Sequence, residues 1–155
     1  MFISLGQGCW LDELALGLAL HEGAVFASFS SGEPDEVIRY ADELMKYTSL
    51  DDSLDIQPCV LKSLSQSGRH EQSIQRGIDI LHQLQFDFPS TPTMENIVTA
   101  LTSTAQIASQ YSVEQMINLC DSVVDDSVHQ VVKIMDAFYA SCYASSSPFL
   151  AIIIW

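Results

Sequence analysis

A turn signature repeats 36 positions apart in this chain, and it constrains the fold more than any other feature. Ser30-Ser31-Gly32-Glu33-Pro34-Asp35-Glu36-Val37-Ile38 and Gln66-Ser67-Gly68-Arg69-His70-Glu71-Gln72-Ser73-Ile74 each set a glycine between the end of one amphipathic stretch and the start of the next. That is the punctuation of stacked helical hairpins. A repeat of this length is one supersecondary unit that cannot bury its apolar face alone, so it points to a stack that presents a surface.

The stretches between the glycines carry helical periodicity. Leu11, Leu14, Leu18, Ala19, Val25, Phe26 and Phe29 place a first helix over about 9–30. Pro34 then falls in the first turn of a second, with Asp35 and Glu36 near the positive end of its dipole and Val37, Ile38, Ala41, Leu44 and Met45 as its stripe. Asp51 or Asp52 is expected to cap a third helix through Val60, Leu61 and Leu64, with Pro58 in its first turn. Ile74, Ile78, Leu81 and Leu84 carry the fourth. Setting Gly32 on Gly68 superposes Ile38 on Ile74, Ala41 on Gly77 and Leu44 on Ile80. Small residues at the Ala41 and Gly77 positions are what closely packed helices require.

Phe86-Asp87-Phe88-Pro89-Ser90-Thr91-Pro92 interrupts the pattern, because two prolines so close exclude a continuous helix. A fifth helix resumes from about Thr93 through Ile97, Leu101 and Ile107. Ser112 and Gln115 have the spacing of a capping box ahead of Met116, Ile117 and Leu119. Asp125 or Asp126 opens a last helix through Val128, Val131, Val132, Met135, Phe138 and Tyr139. The expected organisation is two helical hairpins over 1–85, a proline-containing break at 86–92 and a divergent, truncated continuation over 93–155.

Charge narrows the partners. Six Lys and Arg against 20 Asp and Glu give a net charge of −14 in 155 residues, which repels phosphate backbones and anionic leaflets. Nucleic acid is therefore excluded as a partner, and a membrane is disfavoured. Residues 137–155 lack charge over nearly a bilayer's span, yet serines and Pro148 leave only Phe149 to Trp155 as a continuous apolar run. Cys9, Cys59, Cys120 and Cys142 are scattered, with no paired spacing for a metal, and they fit a reducing, cytoplasmic compartment.

No chemistry-bearing motif completes itself. Gly6-Gln7-Gly8 lacks the third glycine of a dinucleotide fingerprint, and His70-Glu71 meets Ile74 where a zinc-protease helix needs histidine. Asp51 to Ile56 begins like a calcium loop but has isoleucine at the obligatory glycine. No catalytic, cofactor-binding or metal residue is assigned.

Leu16 to Gly32, Val37 to Leu44, Ser63 to Leu84 and Phe88-Pro89-Ser90 together resemble the helical-repeat segment of very large multidomain signalling proteins. Those proteins join a protein-kinase-like domain, an AAA-type ATPase, helical repeats and, in many members, a GAF sensor and a histidine kinase. Glu71 to Gly77 is similar to the stretch after their hairpin turn, and Leu81 to Ser90 to their helix running into Phe-Pro-Ser. Tyr111 to Leu119, Val124-Asp125-Asp126 and Val132 to Pro148 follow their later helices, with departures at Lys133, Ile134 and Met135 and no proline after Asp126. The resemblance implies a tetratricopeptide-like scaffold, a piece of a longer protein, with neither the ATPase nor the kinase motif present.

The expectation is an all-α chain of antiparallel hairpins stacked as a tetratricopeptide-like solenoid fragment. Its structural turns are Gly32, Gly68 and Pro89, and its repeat packing uses Ile38, Ala41, Leu44, Ile74, Gly77 and Ile80. It would act as a non-catalytic interaction scaffold without a cofactor, bound to protein partners or neighbouring domains and able to self-associate through its apolar C-terminal edge. The alternatives are part of an ATP-dependent kinase or ATPase whose catalytic domains lie elsewhere, and a membrane-tethered helical adaptor.

Overall fold

One backbone device, used three times, punctuates the helices in the computed structural model, which describes residues 14–115 and 126–145. After the first helix the amide of Glu33 donates to the Ser28 carbonyl at 3.0 Å and that of Gly32 to Phe29 at 3.1 Å. After a later helix Arg69 donates to Leu64 at 2.9 Å and Gly68 to Ser65 at 3.1 Å. These are paired six-to-one and five-to-two bonds, a Schellman closure with its left-handed residue at Gly32 (φ 73°) and Gly68 (φ 74°). The third use falls where the sequence offers no glycine. Phe86 donates to Leu81 and Gln85 to His82, with Gln85 itself at φ 60°.

The described elements are all helical: α1 (Leu14–Ser30), α2 (Pro34–Leu44), α3 (Leu50–Ser53), a 3₁₀ turn (Leu54–Ile56), α4 (Gln57–Gln66), α5 (His70–Gln83), α6 (Met94–Ala108) and α7 (Asp126–Ala144). Among the described residues there is no strand. The expected all-α class holds. The chain divides into two compact units, residues 1–69 and 70–155, so the boundary falls one residue past the second glycine turn.

In the first unit α1 packs on α2 and α2 on α4. The direction of the second pair is fixed at both ends. Arg69, just beyond α4, reaches Asp35 in the first turn of α2 at 2.6 Å, while Gln57 at the start of α4 lies 3.3 Å from the sulfur of Met45 at the end of α2. The two helices therefore run antiparallel. Between them and α1 sits a core of Val25, Val37, Tyr40, Ala41, Leu44, Ile56, Val60 and Leu64, edged by Leu18, Phe29, Ile38 and Cys59. The stripe at Val37, Ala41 and Leu44 repeats every three to four residues, the spacing that puts one helix face inward.

Caps follow residue chemistry. Neither Asp51 nor Asp52 caps the helix through Val60, Leu61 and Leu64. That helix is α4, which follows Ile56 without a side-chain cap. Ser49 caps the four-residue α3, accepting from the Asp52 amide at 3.3 Å. Its extended backbone suits an N-cap, and the aspartates fall instead in the first turn, where negative charge meets the dipole. Pro58 occupies the first turn of α4 and costs no helix hydrogen bond there. Thr93 and Asn96 form a reciprocal capping box on α6, and Ser112 and Gln115 form another, with N···O distances of 2.8 and 3.2 Å.

The second unit is organised by α5 against α7. Phe138 of α7 is fully buried and meets the buried Phe88 edge to face, with ring centroids 6.2 Å apart. His82 donates through Nε2 to the Phe88 carbonyl at 2.8 Å, which ties the proline-containing break back onto α5.

Candidate functional site

Of the sequence-derived packing residues, Ala41 and Leu44 are fully buried in the core of the first unit, and Ile38 packs at its edge. Ile74, Gly77 and Ile80 are buried in α5, in the second unit. The fold thus splits the six residues three and three. Gly32 and Gly68 have open space around the place a Cβ would occupy, so only their backbone demands glycine. Gly77 is different. A Cβ there would fall 2.8 Å from Cε1 and Cγ of Phe138 and closer still to Cδ1. Its missing side chain admits the Phe138 ring, a pairing that sequence spacing did not identify. Pro89 is half-buried, following buried Phe88 in the irregular segment.

Among the described residues α1, α6 and α7 carry exposed apolar side chains, on α7 Val128, Val132 and Tyr143. On α1, Leu16, Leu20 and Phe26 are exposed, beside Ala19, Gly23 and Ala27. Val25 points inward and Glu22 is the only acid on the helix, so α1 is apolar on its outer side as well as its inner one. On α6 only Ile97 is buried, while Met94 (62%), Val98 (56%), Leu101 (56%) and Ile107 (59%) stand in solvent. Leu101 and Ile107 therefore do not join Ile97 as a core stripe. At 100° per residue Ile107 lies about 80° from Ile97 on one side of the helix and Leu101 about 40° on the other, so one inward line cannot hold all three.

Polar groups on these units pair locally. Glu36 and Arg39 form an ion pair, and the guanidinium lies 4.1 Å over the Tyr40 ring. The hydrogen bond from Arg39 holds the Glu36 carboxyl below its ordinary range. His21 donates through Nδ1 to the Gly17 carbonyl at 2.9 Å and meets Tyr40 edge on. Lys46 is held above its ordinary range by the hydrogen bond from its ammonium to Glu43. Burial raises the Cys59 thiol and pushes Cys142 up to about 12, so neither is an activated nucleophile. Among the described residues no group of three His, Cys, Asp or Glu side chains could hold a metal ion. Among them, too, no helix is long and apolar enough to cross a membrane; the last ten residues of the apolar 137–155 stretch lie outside the described residues. Neither a protein-family model, nor a curated protein, nor a solved structure matches the chain.

Proposed function

We propose that this chain is a non-catalytic helical interaction segment, a piece of a larger cytoplasmic signalling protein that positions partners or neighbouring domains. The observation that carries this reading is the outer side of α1, where Leu16, Leu20 and Phe26 are exposed on a helix whose inner side is already committed to a core. A contiguous exposed apolar face on a folded element marks a contact surface. The succession α1, α2, α4, each packed on the next with Ala41 buried among them, supports a tetratricopeptide-like arrangement in the first unit. The acidic balance favours partners with basic or mixed surfaces.

The test has two arms. The native chain is expected to bind a fluorescent apolar dye. Leu16→Asp combined with Leu20→Asp should lower that signal, leaving the part owed to α6, while cooperative unfolding persists. A native chain that leaves the dye dark would sink the contact-surface reading. Equilibrium dialysis against ATP is expected to show no binding; micromolar affinity would favour the ATP-dependent alternative, and recovery in carbonate-washed membranes the tethered one.

A further inference from the structure

We infer that α6 pairs with α6 of a second copy of this chain, antiparallel, through its outward face. Met94, Val98, Leu101, Ala105 and Ala108 recur at alternating spacings of four and three, the seam of a two-stranded coiled coil. All five are exposed, while on the neighbouring line Ile97 is buried and Ala100 half-buried. Helix α6 therefore buries Ile97 and leaves the adjacent apolar stripe exposed among the described residues.

Two properties of the outer stripe select a second copy as its occupant. The first is charge. The chain carries −14, so two copies repel over most of their surfaces, yet residues 96–113 contain no charged side chain. Copies can approach here without stacking carboxylates. The second is self-complementary size. A two-fold axis passing between Leu101 and Ala105 sets Leu101 against Ala105 of the second copy and Val98 against its Ala108, large on small at each layer. Bulky residues fill the N-terminal half of the seam and small ones the C-terminal half. A parallel pair would set large on large and leave small on small.

The register brings Glu95 of one copy toward the end that carries Glu114 of the other. Salt should therefore tighten the pair by screening that repulsion. Fifteen residues make a helix about 22 Å long, short of the roughly 800 Å² per partner in a standard stable interface. The dimer is accordingly weak and concentration-dependent. It does not rest on the scaffold reading, since an enzyme could pair in the same way.

Sedimentation velocity on the full chain, from low micromolar to near-millimolar concentration and at low and high salt, tests this. The expected result is a reversible monomer–dimer equilibrium, tighter at high salt. Leu101→Asp should weaken association by about tenfold or more, because it places a carboxylate in the seam. Leu101 is 56% exposed, so helicity and melting should barely change and will show that the variant is folded. Ala105→Lys alone should also weaken it. Mixing the two variants should restore a dimer, because the register sets the new carboxylate of one chain against the new ammonium of the other. Ile153→Asp, in the apolar C-terminal run, should leave association intact. A chain monomeric throughout, a dimer that survives Leu101→Asp, a mixture that fails to recover, or loss of association only with Ile153→Asp would each overturn the inference. Association that weakens with salt would point to an ionic contact and overturn it too.

Discussion

Gly32 and Gly68 close their helices with the same pair of hydrogen bonds and with φ values one degree apart, yet they lead into different packing. Gly32 turns α1 onto α2 within one unit, whereas the helix after Gly68 belongs to the other unit and packs on α7. The turn chemistry encodes a stop and a reversal of backbone hand. It does not encode the partner of the next helix. That choice lies in side-chain volume: α2 presents Ala41 to a core already supplied by its neighbours α1 and α4, while α5 presents Gly77, a notch that Phe138 fills.

The notch at Gly77 is where side-chain volume is tested most directly. Phe138→Ala should cost about 3–5 kcal/mol in denaturant unfolding, the range for deleting a fully buried aromatic ring. Gly77→Ala should destabilise by about 1–3 kcal/mol through overpacking, lessened by roughly 1 kcal/mol of better helix propensity. If Gly77→Ala instead stabilised the chain, the ring would not be held on Gly77 and volume would not explain the choice of partner. Cys142, fully buried four residues beyond Phe138, reports on the same unit. Its thiol should resist a disulfide reagent in the native state while half-buried Cys59 reacts, and equal rates would show that the α5–α7 contact opens. Because burial raises the Cys142 thiol from 9.0 to about 12, its neutral form stabilises the unit fully below pH 9. That contribution is lost as pH rises from 9 through 12, where the unfolded thiol ionises first.

A smaller effect sharpens the likeness of the turns. Gly32→Ala and Gly68→Ala should each cost about 1–2 kcal/mol, since a Cβ meets no neighbour at either site and only the left-handed backbone is strained. The double variant should cost the sum of the two to within about 0.5 kcal/mol; a larger departure would show that packing couples the turns. Gln85→Gly should act in the opposite sense and stabilise by about 1 kcal/mol, because Gln85 holds the same conformation with a side chain attached.

How much of this was legible follows from locality. The turns at Gly32 and Gly68, Pro34 in a first turn, the box at Ser112 and Gln115 and the inward line of Val37, Ala41 and Leu44 all rest on residues within a few positions of one another. Local energetics fix them, and the sequence shows them. Gln85 escaped because it adopts the glycine conformation without being glycine, and Ser49 because the adjacent aspartates competed for the cap. Gly77 and Phe138 lie 61 positions apart, and nothing near either residue names the other. On α6 and α7 the apolar residues outnumber the inward positions. Leu101, Ile107, Val128 and Val132 therefore matched a core pattern that the fold does not use.

The least costly test returns to the point where the two turns meet. Arg69, the residue after Gly68, bonds Asp35, the third residue after Gly32, across 34 positions. The contact lies where the end of α4 meets the start of α2, but both side chains are well exposed, so water and salt compete for it. A double-mutant cycle with Asp35→Ala and Arg69→Ala should give a coupling of about 0.2–1 kcal/mol, fading as ionic strength rises. Removing either residue should leave the fold intact, because the core beneath the two helices holds them without it. A coupling of several kcal/mol would mean that the ion pair, rather than the apolar line on α2, sets the direction of α4. The two glycine turns would then be joined by charge as well as alike in backbone, and side-chain volume would no longer suffice to explain the packing of the first unit.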